Sequence, residues 1–436
     1  MSSNIAPLRL SGVASGIDTS SIVDTLIFAE RQPINLIEQR RRDTQSEEAL
    51  VKQINSFLTE FREKATNLFE PGAFDAKTAV SADDSILTAS AGNEAAKGSY
   101  NVTVAALAQA HTMQSTAAPG LAAGDHLDLT VAGETRSYTF EAGDDLQAFA
   151  DRINADDDAA VSASVVSDRL VLISAESGTA GQITVGGSAA ASLGMTATQA
   201  AQDAQATVNG VAVTGSGNVI SDAIGGLDLT LTGVGSTTLT VGLDTTAIEA
   251  RAEEFVAAYN TLAGTLRDAT RYDDTTQVAG LLQGDQVFSG FVSRLRETVG
   301  ASVASLAGER YDSLAQIGIT SSKEGTLTLD PNAFQAALAD DPSGVEAVFA
   351  AVDGLARMVD DVSGQFVSSV IDTRLDGFTT RIRRFDERIA AMEERLADKE
   401  DRLRRQFAAS ELAIAGLQAQ QTSLLQGLSG LGLIQA

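Results

Sequence analysis

The residues able to do chemistry are few, and their spacing builds no reactive set. The chain of 436 residues carries two histidines, His111 and His126, and no cysteine. Without cysteine there can be no disulfide and no thiolate metal site. A zinc site or imidazole catalysis would have to be assembled from the two histidines, both set among Ala and Gly. Asp156-Asp157-Asp158 offers carboxylates to Ca²⁺, but the ligand spacing of an EF-hand loop is absent, so the run reads as a solvated acidic turn. Gly225-Gly226 follows neither a phosphate-loop nor a dinucleotide pattern. Serines and carboxylates are plentiful, yet no nucleophile, base and orienting group can be picked out. The sequence predicts no enzyme, no cofactor and no metal.

What remains is the chemistry of association. The net charge is -27, which speaks against nucleic acid, whose phosphates require a basic stripe, and against anionic membrane surfaces. Self-repulsion at that charge keeps a protein soluble. Residues 76–245 hold five basic residues (Lys77, Lys97, Arg136, Arg152, Arg169) against nineteen acidic ones, about -14 for that stretch alone. Hydrophobic residues make up 44% and aromatics only 5%, with no Trp. This composition suits Ala-rich helices and Thr/Val strands better than a deep ligand pocket, which recruits aromatic walls. Met1–Arg9 has no charged and apolar succession of a secretory signal, and no 18-residue apolar run occurs. The expectation is a cytoplasmic protein, or one leaving by a route that reads no cleaved signal.

The length calls for two or three domains, and the pattern falls into helix, strand and helix blocks. After a flexible Ser11–Gly16 approach, Asp18, or Ser21 with Asp24, can cap a short helix bearing Ile22, Val23, Leu26 and Ile27, which Pro33 is expected to end or kink. A second helix from about Ile34 to Phe69, roughly 50 Å long, has its best seam at Val51, Ile54, Leu58, Phe61, Ala65 and Leu68. Ile37 holds that register backwards, while Arg40, Thr44 and Glu47 make the middle polar. Near the other end, Leu375, Phe378, Ile382, Phe385, Ile389, Met392, Leu396 and Leu403 keep a heptad with charged flanks and one polar intruder, Lys399. At Phe407 the register slips by four, and the new seam reads Phe407, Ile414, Leu417, Leu424, Leu428. The economical arrangement is an antiparallel pair of long helices, with all that lies between carried at their far end. From Leu412 onward no residue is charged. That amphipathic end is read as a helix awaiting a partner, and burying about six leucine-class side chains contributes on the order of 10 kcal/mol before ordering costs.

Between the helices strand signals dominate. Asn209-Gly210 and Asp168-Arg169 are expected hairpin turns, and Asp144 or Asp145 caps a helix with Leu146, Phe149 and Ile153 inward. Thr130-Val131-Ala132-Gly133 echoes Thr207-Val208-Asn209-Gly210, which suggests two small β-rich modules. From Ile248 helices return, with Phe255, Tyr259, Leu262 and Leu266 at helical spacing and a short hairpin around Glu324-Gly325. The fold class is α+β multidomain: long antiparallel coiled-coil legs from both termini, a helical junction domain and a β-rich head. Drawn as segments, these are a flexible leg segment 1–36, a coiled-coil helix 37–75, a head 76–245, a junction domain 246–350, a coiled-coil helix 351–408 and an apolar leg segment 409–436.

Several of these stretches, in this order, resemble the flagellar filament cap family (FliD, hook-associated protein 2). They are Ser11-Gly12 with Ser15-Gly16-Ile17-Asp18, Glu30, Pro33 and Leu36; Gly98–Val104 with Leu107–Ala110; Phe255–Asn260; Gly284-Asp285; Ile317–Thr320; Gly325–Asp330; and Phe407–Glu411. The resemblance spans essentially the whole chain. It implies a secreted, extracellular protein at the tip of the bacterial flagellum, exported unfolded by the type III route. It further implies a ring of copies (a pentamer before other small rings), flagellin and the hook-associated junction proteins as partners, and a dedicated export chaperone at the C-terminal end. The leg residues that would meet filament or chaperone are Ile22, Val23, Leu26, Leu412, Ile414, Leu417, Leu424 and Leu428. Asp144–Asn154 also resembles a module of flagellins, so a flagellin-like or junction subunit stands as the alternative, as does adhesion by an exposed head.

Overall fold

The computed structural model describes residues 16, 18–117, 119–273 and 277–430. Most of the Ser11–Gly16 approach and the last six residues of the C-terminal segment therefore lie outside the described residues. Helix α1 covers Thr19–Thr66. Strands β1 (Lys77–Ser81), β2 (Leu87–Ala91), β3 (Gly98–Ala106), β4 (Ala110–Gln114), β5 (His126–Val131) and β6 (Glu134–Thr139) follow. Next come α2 (Leu146–Asn154), β7 (Val161–Val166), β8 (Arg169–Ser177), β9 (Thr184–Gly186), α3 (Ala189–Leu193) and β10 (Thr196–Gln199). Strands β11 (Ala204–Val208), β12 (Val211–Gly215), β13 (Val219–Ile224), β14 (Leu227–Leu231) and β15 (Gly235–Leu243) complete that run. Helix α4 (Thr245–Thr270), β16 (Tyr272–Asp273), β17 (Val278–Ala279), α5 (Gln286–Gly300), β18 (Ile319–Ser321) and β19 (Leu327–Leu329) come after. The chain closes with α6 (Pro331–Asp340), α7 (Pro342–Ala350), α8 (Leu355–Phe366) and α9 (Asp372–Gly430).

These elements form two compact units. One takes its described residues from Met1–Phe69, Glu253–Ala337 and Gly344–Ala436, the other from Glu70–Ala252 and Leu338–Ser343. The mixed fold class, helical at both ends and strand-rich between, is the one expected from the pattern.

The strand-rich unit contains two modules, one inserted in the other. In the first, the sheet β1-β15-β3-β11-β12 shares a core with the sheet β13-β14-β2, through Leu87, Val102, Val104, Leu229 and Leu239. In the second, the sheets β10-β4-β8-β7 and β6-β5-β9 close on α2 around Leu127, Leu129, Phe149, Ile153, Leu170 and Leu172. The chain passes between modules at Gln109 and Gln202, which exchange two backbone hydrogen bonds of 2.8 and 3.2 Å. The sequence echo has a physical basis. Ala132-Gly133 and Asn209-Gly210 both take positive φ (50° and 89°, 48° and 86°), the left-handed geometry that a two-residue hairpin needs. The Asp168-Arg169 expectation is off by one. Positive φ falls on Ser167 and Asp168, and Arg169 already opens β8.

In the helix-rich unit, an aromatic core joins α1 to α4 and α7. Phe61 lies 5.2 Å from Phe255 and 5.8 Å from Tyr259, ring centre to ring centre, and Phe255 lies 6.2 Å from Phe349. The Phe255–Asn260 segment also holds the short hairpin. The Tyr259 hydroxyl donates to the Gly325 carbonyl at 3.1 Å, and the Asn260 side chain accepts from the Leu327 N–H and donates to its carbonyl, each at 2.8 Å. Gly325 has φ of 84°, so the backbone there favours glycine, and a Cβ would displace the Arg296 guanidinium.

Pro33 does not end a helix. α1 continues through it, so one helix crosses the boundary drawn at residue 36. The ring removes one helical hydrogen bond and crowds the preceding turn, at a cost of about 3 kcal/mol. Packing of Val23, Ile34 and Ile37, exposed by 6% or less, offsets that cost. A π-helical turn, Val367–Ile371, joins α8 to α9, a feature the heptad pattern did not signal.

Candidate functional site

The terminal helices pair within the helix-rich unit. Asp18 caps α1, its carboxylate accepting the Ser21 N–H at 3.1 Å. Ion pairs then join Asp24 to Arg404 (3.0 Å), Glu30 to Lys399 (2.8 Å), Arg31 to Glu393 (3.4 Å), Arg41 to Asp386 (2.8 Å) and Glu47 to Arg381 (3.9 Å). Numbers rise along α1 as they fall along α9, so the pair is antiparallel over more than twenty residues. Exposed pairs of this kind contribute little individually (about 0–1 kcal/mol) and act mainly to set register. Lys399, read as an intruder in the seam, reaches out to Glu30 at the rim instead.

The seam residues divide into two sets. Ile389 packs with Ile34 and Ile37, flanked by the half-buried Phe385, Met392 and Leu396. Phe378 is buried, and Leu375, Ile382 and Leu403 are half-buried. Their partner stretch on α1 therefore centres on Ile34, Ile37 and the buried Thr44, not on the Val51–Leu68 seam. Val51, Ile54, Leu58, Phe61 and Leu68 are fully buried, and α8 lies beside them. There Arg62 Nε meets Asp360 at 2.7 Å, and the Arg357 guanidinium sits 4.5 Å over the Phe69 ring. Spacing alone could not assign partners, because both stretches of α1 share one helical period. The middle is polar, as expected, and Arg41 stands at its core edge with a buried Nε that lacks a partner.

Beyond Arg404 no cross-link to α1 occurs among the described residues, yet α9 runs on to Gly430, about 39 Å further at 1.5 Å per residue. Leu412, Leu417, Leu424 and Leu425 are exposed by 75, 65, 66 and 50%. Ile414 is half-buried, and the Leu428 side chain lies outside the described residues. On α1, Ile22 and Leu26 are exposed, but Val23 is 1% exposed and so is not part of an open leg surface. Phe28 and Leu36, 67 and 51% exposed, are further uncovered apolar residues that the sequence reading did not single out as a surface.

The histidines do other work. His111 in β4 is buried, and its Nδ1 accepts the Ile183 N–H at 2.9 Å. His126 Nδ1 lies 3.2 Å from Ser188 Oγ, which donates to Asp125 at 3.3 Å and accepts the His126 N–H at 3.0 Å. Here the serine stands between acid and imidazole, so no base is oriented toward a nucleophile. Asp156 accepts from the Tyr138 hydroxyl at 2.9 Å, and Asp158 pairs with Arg136 at 3.0 Å. Among the described residues no group of three potential metal ligands converges. The site is a surface: two paired helices, one of which continues into an uncharged stretch with exposed leucines.

Two family models match this chain, "Flagellar hook-associated protein 2 N-terminus" over residues 15–111 and "Flagellar hook-associated protein 2 C-terminus" over residues 201–419. The flagellar hook-associated protein 2 of Escherichia coli K12 is 29% identical, over 85% of this chain and 86% of its own length. The A-type flagellar hook-associated protein 2 of Pseudomonas aeruginosa is 27% identical, with 98% of each chain covered. Among solved structures, the D1-D2-D3 domains of the flagellar cap protein FliD from Escherichia coli superpose with a TM-score of 0.59 at 29% identity, covering 76% of this chain and 99% of that one.

Proposed function

Since the chain belongs to the flagellar hook-associated protein 2 family, we propose that it is the structural cap at the distal end of a bacterial flagellar filament, where it promotes folding and insertion of exported flagellin and prevents its loss. The observation that carries this reading, beside the family match, is the set of exposed leucines, Leu412, Leu417, Leu424 and Leu425, on the uncharged end of α9. An antiparallel helix pair whose longer member runs on, uncharged and apolar, suits a leg that gains its partner only on assembly. The likeness to a solved cap protein supports this reading over a junction or filament subunit. No helix among the described residues is long and apolar enough to cross a membrane. Action at the filament tip, outside the cell, fits that observation and the family.

The finer reading is a ring of copies, a pentamer before other small rings, with Leu412, Ile414, Leu417, Leu424 and Leu428 facing filament subunits after assembly and an export chaperone before it. Deleting the gene tests the function: flagellin should appear as monomers in the medium, and restoring the gene should return it to filaments. A gene stopped after Ser410 should yield folded protein that fails to restore them. Full restoration by that truncated chain would remove the leg from the account.

A further inference from the structure

One open edge of the strand-rich unit, β12, carries no charged residue. β12 ends its five-stranded sheet, with β11 on one side and, among the described residues, no strand on the other. Val208 and Val211 close the two-residue Asn209-Gly210 turn as a pair. By antiparallel alternation the N–H groups of Ala212 and Thr214 then point away from the sheet. Val211 shares a sheet face with the buried Ala206 and Val208, yet it is 67% exposed, because the core stops short of it. From Ala204 to Ser221 there is no charged residue, in a chain of net charge -27. At the opposite edge of the same sheet β1 carries Lys77, bonded to Asp75, and Asp83-Asp84 follow. Charges of that kind are how proteins keep open strands from pairing with other chains. Their absence on β12 leaves exposed backbone donors beside an uncovered valine.

We propose that the open edge of β12 is where a second copy of this chain docks, through backbone hydrogen bonds and contact with Val211. The inference rests on the multi-copy reading above. A cationic partner would settle on the acidic surfaces that dominate this unit. A partner as acidic as the chain itself is repelled there and can approach closely only where charge is missing. The partner certain to share that charge is another copy.

The test is sedimentation velocity of the full chain over a concentration series, with circular dichroism to confirm folding. Val211→Asp places a charge on the edge, and Ala212→Pro removes one outward N–H without touching the β11–β12 ladder. Each should weaken association at least tenfold, while Val80→Asp, on the β1 edge at 59% exposure, should not. Should Ala212→Pro misfold, Thr214→Asp takes its place. Variants that associate like the unsubstituted chain overturn the β12 contact and leave the multi-copy reading intact. An unsubstituted chain that stays monomeric at every concentration overturns that reading, and this contact with it. Equal disruption by Val80→Asp, or normal association with loss of flagellin retention alone, also overturns it, since the edge would then be unspecific or hold another occupant.

Discussion

Asp144 ties three pieces of the inserted module together. Its carboxylate takes two bonds from Arg152, at 2.6 and 3.2 Å, and one from the Glu141 N–H at 2.7 Å. Those donors, Arg152 first, hold its pKa below the usual carboxylate value. Asp156 is lowered likewise, chiefly by the Tyr138 hydroxyl, while burial and then that bond push Tyr138 up to about 12. Asp353, bonded by the Ser305 hydroxyl and N–H, is lowered too. A carboxylate with a depressed folded pKa stabilises fully above the unfolded value near 3.8, and that contribution is lost as pH falls through the lower folded value. The chain should therefore keep its unfolding midpoint from pH 7 down to about 5 and lose stability steeply below about 4. Asp144→Asn should lower the midpoint at pH 7 and flatten the acid slope, read by thermal melts at pH 7, 4 and 2.5. An unchanged slope would show that this cluster is not coupled to folding.

Helices that look alike in sequence carry different energetic weight. Leu58 is fully buried where α8 flanks α1, and Leu58→Ala should cost about 2–5 kcal/mol, read as a shift of the urea midpoint in helical circular dichroism. Leu417→Ala, on the bare stretch, should leave the midpoint unchanged in the isolated chain, its exposure being 65%. Pro33 gives an opposite sign. Since α1 runs through it, Pro33→Ala restores a donor and should stabilise the chain by as much as about 3 kcal/mol. No gain would mean that the neighbouring turn has already relaxed around the ring. The same elements show what could be read in advance. Period and caps revealed α1, α2, α9 and the two positive-φ turns, because those signals are local. Three features were not legible: the continuation through Pro33, the π turn at Val367–Ile371, and the pairing of Ile389 with Ile34 and Ile37. Each is settled by packing between segments hundreds of residues apart. Of the leg surface, the lack of charge at the end of α9 was legible, but spacing could not separate the buried Val23 from its exposed neighbours Ile22 and Leu26.

At the scale of the whole molecule, charge and contact pull in opposite directions. A net charge of -27, about half of it within residues 76–245, keeps copies apart in dilute solution, yet a cap built of several copies needs them side by side. If the contacts are apolar and backbone-mediated, as the edge of β12 suggests, nothing at the interface weakens when salt screens charge, and only the long-range repulsion does. The screening length shrinks from about 30 Å at 0.01 M salt to about 3 Å at 1 M. At fixed protein concentration the weight-average mass should then rise steadily between those limits. Arginine-rich contacts between acidic faces would give the reverse, a mass that falls as salt breaks the ion pairs. Sedimentation equilibrium at 0.01, 0.15 and 1 M NaCl separates the two. A falling mass would assign the joint between copies to charge complementarity and rule out the uncharged strand.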